Sequence, residues 1–485
     1  MQYKITGYKP EKFFHFFEEF SAVPRGSGFE KDASDFLVKF AEDRNLEVIQ
    51  DEAYNVIIRK PGSKGAEDKP TVILQGHMDM VCEKVAGCTH DFHTEGIDMY
   101  VEDGWLTANG TTLGADDGVA DAFMMTVLDD DSMVHPPLEC VFTTSEEVGL
   151  IGANALDYSQ LKGRLMINLD SETEGVATVS CAGGLEYTLT KPLNKEHKTG
   201  SVLTLDISGL KGGHSGADIH LERTNAIRLA ARAVNRLMQE CRKAQLVEFS
   251  SGSKSNAIPR EAAVSVFVPD LECADKIEKI LSELCNDFRN EICHAEPDFV
   301  CEAKRTDNTE ADVLTREDSR DIVSAVLLAP NGVQRRDPNM NNFVLTSLNL
   351  GIISTENDAK LVFAPRSSVN SLQDYTKERL ALTAETFGFN VTMDAEYPGW
   401  EKVEDSELRK TFEEAYKELF DEEIKVEGIH AGLECGLFFA ALPGLDPVSI
   451  GPTLLGVHTP DEKMDLESME KTFVLVKDVL ERLAI

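Results

Sequence analysis

The stretch TVILQGHMD (residues 71–79) predicts a buried strand that ends in two polar side chains, His77 and Asp79. Two further strand-like runs, LECVFTTSEE (138–147) and RLMINLD (164–170), also turn acidic at their ends. Because helices are predicted between and around these runs, the sequence predicts an α/β fold with a mainly parallel sheet and helices on both faces. In the first and last parts of the chain, the sequence also predicts helices at 11–20, 30–45, 118–128, 406–418 and 466–483, and strands at 46–50, 55–60 and 447–451.

The order of elements divides the chain into an outer part and an inserted part. From about residue 185 the alternation changes to helix, two strands, helix, strand, and this order occurs twice, roughly one hundred residues apart. After the tetrapeptide YPGW the α/β pattern returns. We therefore predict a catalytic domain formed by 1–184 and 399–485. The inserted domain, 185–398, is predicted to be a duplicated ferredoxin-like α+β unit.

Composition excludes several classes of function. The 485 residues carry a formal net charge of −37, which repels nucleic acid and anionic membrane surfaces. The sequence has no apolar run of membrane-spanning length, and the N-terminal residues do not resemble a signal peptide. Ten cysteines are scattered without a C-x-x-C motif, so we expect reduced thiols and a cytoplasmic location.

Clusters of metal-type ligands occur at predicted strand ends. Any one alone has an ordinary explanation: His-x-Asp is usually a loop pair, and SEE is usually a solvated charge run. Together they predict a metal site, because the carboxyl ends of strands in an open α/β sheet converge. Histidines mixed with carboxylates suit zinc, manganese or cobalt. The clusters are His77 and Asp79, Asp116 and Asp117, Glu146 and Glu147, Asp170, and His458.

The spacing within these clusters predicts different roles for neighbouring residues. His77 and Asp79 are two residues apart, so an extended backbone points both the same way, and one can ligate while the other orients it. Glu146 and Glu147 are adjacent and diverge, so one can ligate while its neighbour acts as a general base.

Several motifs give the chain a family resemblance. HMDMV, LGADDG, SEEVGLIGA, NLDSE and GVHTPDE are similar to successive motifs of the co-catalytic zinc carboxypeptidase/dipeptidase family, which includes aminoacylases, tripeptidases and carnosinases. TTLGADDG, HSGADIH, SGSKSNAIPREA, TSLNLG, YPGW and HAGLECGLF resemble its aminoacylhistidine (Xaa-His) dipeptidase branch. The resemblance covers essentially the whole chain. It implies a cytoplasmic homodimer that cleaves Xaa-His and other unblocked dipeptides with two divalent metals, most simply zinc.

The resemblance also implies roles for individual residues. Asp116 would bridge both metals and be followed by a cis peptide bond. Asp79 would lie behind His77, and Glu146 would be the general base. The remaining metal ligands would be His77 and Asp170 on one ion and Glu147 and His458 on the other.

In the inserted domain, the resemblance implies that His214 stabilises the oxyanion and that Asn225 accompanies it. Arg366 would grip the terminal carboxylate of the substrate, although an ordinary edge-strand arginine is an equal alternative. His430 and Glu434 are candidate contacts for the amino end of the substrate. Closure of this domain as a lid over a short substrate would favour dipeptides.

Three alternatives stay open at this point. A related di-metal amidase, such as an N-acyl-amino-acid deacylase or a tripeptidase, would share the same ligands. A binding protein on the same fold would have no need of an intact ligand set. A nucleophile enzyme is disfavoured, because the sequence has no G-x-S-x-G motif and its nearest cysteine, Cys82, is expected to be a small buried residue.

Overall fold

The computed structural model describes residues 3–485, which form two compact units. Unit 1 combines the chain up to Cys181 with Trp400–Gly428 and Leu433–Ile485, and unit 2 comprises Ala182–Gly399 with Ile429–Gly432. The segment Ile429–Gly432 belongs to unit 2, whereas the predicted division assigned it to the outer part. Its carbonyls explain the difference, because those of Ile429 and Ala431 accept hydrogen bonds from the backbone N–H of Ala182.

The helices and strands occur in the following order. The first part of unit 1 contains α1 (Glu11–Ser21), α2 (Lys31–Glu42), β1 (Glu47–Gln50), β2 (Val56–Lys60), β3 (Val72–His77), β4 (Met99–Glu102), β5 (Trp105–Ala108), α3 (Ala115–Asp129), β6 (Leu138–Thr143), α4 (Ile151–Ala155), β7 (Leu165–Asn168) and β8 (Val176–Cys181). The central part contains β9 (Gly183–Pro192), β10 (Lys195–Ser208), β11 (Gly213–His214), α5 (Ala226–Glu240), β12 (Gln245–Ser250), β13 (Ala257–Ile258), β14 (Ala262–Val268), α6 (Leu271–Ile292), β15 (Val300–Leu314), α7 (Arg316–Leu328), β16 (Gly332–Asp337), β17 (Phe343–Ser354), β18 (Asp358–Ser367), α8 (Asn370–Phe387) and β19 (Asn390–Tyr397). The last part contains α9 (Glu407–Phe420), β20 (Lys425–Ile429), α10 (Cys435–Ala441), β21 (Asp446–Ser449), β22 (Leu454–Leu455), β23 (Lys463–Asp465) and α11 (Leu466–Leu483).

The main sheet of unit 1 combines parallel and antiparallel strand pairs. Its strand order is β1-β2-β6-β3-β7-β21-β8-β20, and the parallel pairs are β6 with β3, β3 with β7, and β7 with β21. The pairs β1–β2, β2–β6 and β21–β8 are antiparallel, so the sheet is mixed where a mainly parallel one was predicted. The connection from β1 to β2 is too short for the crossover that parallel strands need.

The predicted core strands are deeply buried. All residues of β3 and β6 are buried, so both faces of the sheet centre are covered, as predicted. Helices α1, α3 and α11 contribute to the same core, in which the Phe473 ring contacts both Phe13 and Phe123. This burial fixes where each central strand ends, and therefore where the polar residues that follow it lie.

Unit 2 contains the same topology twice. Strands β10, β12, β14 and β15 with helices α5 and α6 have the order βαββαβ, in a sheet ordered β12-β14-β10-β15. Strands β9, β17, β18 and β19 with α7 and α8 repeat this order, with β16 added at the β17 edge. The duplication predicted from element order is therefore confirmed, and each copy gains a first strand (β9 or β10) that the sequence did not reveal.

One cysteine pair corrects the prediction of reduced thiols. Cys285 on α6 and Cys301 on β15 form a disulfide with a Cα–Cα distance of 5.6 Å. The packing of α6 on its sheet brings these residues together, and no local motif marks the pair. The other eight cysteines are free thiols. Within residues 3–485, no helix combines the length and apolar character that crossing a bilayer requires.

Candidate metal centre

Three of the ligand clusters follow the parallel strands of the main sheet. His77 is the last residue of β3, whereas Glu146 and Asp170 come shortly after the ends of β6 and β7. In the sheet register His77 pairs with Thr143, and Gln75 pairs with Asn168. The carboxyl ends of the strands are therefore level, which brings the three loops to the same edge.

The other two ligands come from a second sheet, which the sequence did not reveal. Asp116 lies at the start of α3, after β5, and His458 lies between β22 and β23. The strands β22-β23-β5-β4 form one small sheet, so both ligands follow strands of the same sheet. The expectation that every cluster follows a strand of the main sheet is therefore corrected for Asp116 and His458.

The carboxylate of Asp116 lies between two groups of ligands. Its Oδ1 is 3.1 Å from Nε2 of His77, which is in turn 3.9 Å from Oδ1 of Asp170. Its Oδ2 is 3.1 Å from Nε2 of His458, which is 2.9 Å from Oε1 of Glu147. The peptide bond from Asp116 to Asp117 is cis. The two oxygens of one carboxylate thus face two separate ligand sets.

The chemistry of these side chains fits divalent metal ions. Ligand atoms of His77, Asp116 and Asp170 lie within 4.8 Å of one another, and so do those of Asp116, Glu147 and His458. Buried carboxylates outnumber the histidines here, which is unfavourable unless cations compensate the charge. Nitrogen and oxygen ligands without a thiolate suit zinc, manganese or cobalt.

The carboxylates of this centre raise the pKa of its two histidines. Hydrogen bonds that the His458 ring donates to the carboxylates of Asp116 and Glu147 raise the pKa of His458 to about 11. Burial lowers the pKa of His77, but its contacts with Asp116 and Asp79 outweigh burial and raise that pKa well above the usual range. The surroundings therefore attract positive charge to both positions.

Asp79 is fully buried behind His77 and connects it to the glutamate loop. The Oδ1 of Asp79 is 3.4 Å from Nδ1 of His77 and accepts a 3.0 Å hydrogen bond from the backbone N–H of Glu146. Its Oδ2 accepts from the backbone N–H of Glu147 at 3.3 Å and from the Ser27 hydroxyl at 2.8 Å. Asp79 therefore contacts the histidine through its backbone carbonyl, 3.1 Å from Nδ1, and through its carboxylate, which also holds the loop that carries both glutamates.

The surroundings of Glu146 raise the pKa of its carboxyl group. Burial, together with the charges of nearby carboxylates such as Glu434, raises the pKa of Glu146 to about 8. General bases are most effective when their pKa is close to the working pH.

The structure places Glu434, which was predicted to contact the substrate, in a buried network of hydrogen bonds. The Glu434 side chain is fully buried, and its Oε2 accepts hydrogen bonds from Nε2 of Gln75 at 2.5 Å and Oγ1 of Thr143 at 2.6 Å. The Oε1 of Gln75 in turn accepts from Nδ2 of Asn168 at 2.7 Å. Glu434 therefore belongs to a network that links β3, β6 and β7 just before their ligands.

Unit 2 brings together the predicted residues Arg366, His214 and His430. A Cβ added at Gly216 would lie 2.5 Å from the His430 carbonyl oxygen, 3.1 Å from the His214 ring and 3.3 Å from Nε of Arg366, so only glycine permits this close approach. We call these three side chains the basic cluster. Arg366 lies on β18, an interior strand, which excludes the edge-strand interpretation.

The basic cluster contains donors for negatively charged groups. The Nη1 of Arg366 donates to the Tyr397 hydroxyl at 2.9 Å, and its buried Nε has no hydrogen-bond partner within the described residues. The Nδ1 of His214 accepts from the backbone N–H of Gly216 and Ala217, so the neutral ring carries its proton on Nε2.

Both histidines of the basic cluster favour the neutral state. Burial, followed by the charge of Arg366, lowers the pKa of His430 to about 3 and also lowers the pKa of His214. Nε2 of His430 also lies 2.7 Å from the Ser347 hydroxyl.

The structure also corrects the expectation for Asn225. Its side-chain oxygen accepts from the backbone N–H of Ile227 and Arg228, which makes it the N-cap of α5. Its amide group donates to the Leu350 carbonyl at 2.8 Å. Asn225 is 5% exposed, so its polar atoms are engaged within the protein.

The sequence of the chain matches a known peptidase family. The model of peptidase family M20/M25/M40 matches residues 73–482, most of the chain. The chain belongs to peptidase family M20/M25/M40. Peptidases of the M20 family are metal-dependent, so this chain is a metallopeptidase with candidate ligands for its metals already assembled.

Individual relatives of this M20 chain are peptidases. It is 35% identical over 488 residues to the cytosol non-specific dipeptidase of Escherichia coli (strain K12), with 99% of each chain covered. The crystal structure of the aminoacylhistidine dipeptidase from Vibrio alginolyticus matches with a TM-score of 0.92 and 36% identity, covering 98% of this chain and 97% of the other. An aminopeptidase from Bacillus cereus shares the fold, with a TM-score of 0.57 and 18% identity over 99% of this chain and 100% of the other.

Sequence reasoning missed several residues around the site. Gln75, Thr143 and Asn168 form the network beneath the ligands, and Tyr397 contacts Arg366. Tyr397 was visible in the YPGW motif, but its partner was not. Glu462, in the quoted motif GVHTPDE, received no role.

Proposed function

We propose that the protein is a cytoplasmic dipeptidase that hydrolyses Xaa-His and other unblocked dipeptides with two divalent metal ions, zinc in the first place and manganese or cobalt as alternatives. The observation that carries this proposal is the position of Asp116, whose two oxygens face two separate ligand sets. The full-length similarity to two dipeptidases supports the substrate class.

The proposed ligands are His77 and Asp170 for one ion, Glu147 and His458 for the other, and Asp116 for both. When bound, such ions polarise a carbonyl group and lower the pKa of a water molecule. Glu146 accepts the proton of the attacking water on its carboxylate and then returns it to the leaving amine. Asp79 keeps His77 and the Glu146 loop in place during this exchange.

We assign the basic cluster to the negative charges of the substrate. The Nε2–H of His214 is a neutral donor suited to an oxyanion, and the free Nε of Arg366 suits a terminal carboxylate. His430 is proposed as a further substrate contact. We also propose that the protein is a homodimer, which light scattering on the purified chain tests.

The test is turnover and metal content of the wild type and of the Glu146→Ala and Glu146→Gln variants. We expect the wild type to cleave carnosine-like and other Xaa-His dipeptides, and both variants to keep their metals while kcat falls about 10²–10⁴-fold. Wild-type turnover in either variant contradicts the role of Glu146. Preference for N-acetylated amino acids or tripeptides contradicts the dipeptidase assignment in favour of a related di-metal amidase.

A further inference from the structure

The carboxylate of Glu462 accepts hydrogen bonds from four consecutive backbone N–H groups. Its Oε2 accepts from Leu113 at 2.8 Å and Gly114 at 2.9 Å, and its Oε1 accepts from Ala115 at 2.8 Å and Asp116 at 3.3 Å. Glu462 is 2% exposed. Both oxygens of a buried carboxylate are thus fully used on one short segment, 346 residues away in sequence from its last donor.

These N–H groups need an acceptor from elsewhere in the chain. They belong to the turn before α3 and to Ala115 and Asp116, which lie ahead of its regular part, because the backbone angles of Asp116 and Asp117 are not helical. The N-cap residue is Gly114, with φ of 70°, and a Cβ there would lie 2.7 Å from Nη2 of Arg25 and 2.8 Å from Sδ of Met80. Since no side chain fits at Gly114, the acceptor for these buried N–H groups comes from Glu462.

Glu462 also stabilises the loop that carries His458. The Glu462 carbonyl accepts from the Thr107 hydroxyl at 2.8 Å, and its backbone N–H donates to the Thr459 carbonyl at 3.1 Å. One residue therefore connects the segment that ends in Asp116 with the loop of His458, whose Nε2 is 3.1 Å from Oδ2 of Asp116.

We propose that Glu462 is a positioning residue of the metal centre, which holds the Asp116 segment and the His458 loop at the spacing that their shared metal ion requires. It does so through its four backbone hydrogen bonds, without touching metal or substrate. This inference rests on the proposed ligand roles of Asp116 and His458.

The test compares Glu462→Gln, which keeps the shape but places an amide NH₂ against backbone donors, with Glu467→Gln, the same change at an exposed glutamate nearby. Hydrogen exchange of amides 113–116 is followed in metal-free protein, and bound zinc per chain is measured after dialysis against zinc-free buffer. We expect exchange in Glu462→Gln to be about tenfold faster at 113–116 but unchanged in the sheet core, and zinc to fall from two ions to about one. Glu467→Gln should match the wild type in both.

Steady-state kinetics adds a readout that a merely structural role would not change. We expect kcat of Glu462→Gln to fall with little change in KM, and added zinc to restore part of it. Glu462→Asp keeps the charge and should be intermediate, and it replaces the Gln variant if that one fails to fold.

The other possible results distinguish a failure of the role of Glu462 from a failure of the proposed function. Unprotected amides at 113–116 in the wild type, or Glu462→Gln with two zinc ions after dialysis, overturn the role of Glu462. Faster exchange with unchanged zinc also overturns it, because the hydrogen bonds would then not position the ligands. A wild type that binds no metal pair refutes the proposed function instead, and the exchange data identify which of the two has failed.

Discussion

The two pairs of histidines in this chain lie in opposite electrostatic surroundings. In unit 1, carboxylates raise the pKa of His77 and His458 above the usual range. In unit 2, burial and the charge of Arg366 lower the pKa of His214 and His430. The same residue type therefore favours the charged state in one region and the neutral state in the other. Burial and the neighbouring charges, and not the histidines themselves, determine which protonation state each pair favours.

Replacing Arg366 by Ala should have the largest effect on the basic cluster. A hydrogen bond to a charged group contributes about 1.5–3 kcal/mol, so we expect kcat/KM for dipeptides to fall about 10–150-fold. The pKa of His430 should rise above about 3 because the neighbouring positive charge is gone, but it should stay below its usual value because burial, the larger cause, remains. Steady-state kinetics and NMR titration of the histidines measure both effects.

The matched control is Arg366→Lys, which keeps the charge but not the planar guanidinium. It should leave the pKa of His430 low while recovering only part of the turnover. Wild-type kcat/KM in Arg366→Ala would show that this side chain does not bind the substrate.

Asp79→Asn tests the carboxylate behind His77. The amide has the same shape but lacks the charge and one acceptor, so we expect metal affinity or kcat to fall about 10–100-fold. Metal titration monitored by calorimetry measures the metal affinity, and kinetics at saturating metal measures the effect on kcat. Unchanged metal affinity together with unchanged kcat would mean that Asp79 does not orient His77.

Glu434→Gln tests the buried network through the pH dependence of stability. Burial raises the pKa of Glu434 to about 7, so the folded protein binds this proton more tightly than the unfolded chain does. Stability should therefore decrease as pH rises from about 4.5 to 7, and this loss is absent in the glutamine variant. Relative to the wild type, the variant should gain on the order of 1–3 kcal/mol between pH 5 and pH 8.

Urea denaturation at both pH values, with a chelator present, provides the comparison for Glu434. The same difference between variant and wild type at pH 5 and pH 8 would show that Glu434 has an ordinary pKa in the folded protein.

Asn225→Ala should have the smallest effect, and on stability only. Loss of the N-cap of α5 costs about 0.5–2 kcal/mol of unfolding free energy, measurable by urea denaturation. The control Asn225→Ser keeps a capping oxygen without placing a charge against the Leu350 carbonyl, and it should lose less. A raised KM with unchanged stability would instead support the substrate contact first expected for Asn225.

The sequence predicted those features that depend on local pattern. The buried strands β3, β6 and β7 and the duplicated order in unit 2 follow from runs of apolar residues. The second sheet of unit 1 was missed because its strands are short and come from distant parts of the chain. The ligand residues were predicted because their motifs stand out, and the structure brings all of them together.

Residues whose surroundings depend on distant partners could not be predicted in this way. Glu434 looked like a substrate contact until Gln75 and Thr143, 359 and 291 residues away, were seen to bind it. Asn225 precedes a helix, and its capping role was available from the sequence, but the family resemblance favoured another role. The disulfide of Cys285 likewise depends on tertiary packing.

The number of divalent metal ions bound per chain tests the central claim most directly. We predict two ions in the wild type and in Glu146→Ala, and only traces in Asp116→Ala, because Asp116 faces both ligand sets. A wild type that binds a single ion, or an Asp116→Ala variant that retains two, would contradict the bridging role on which the proposed function depends.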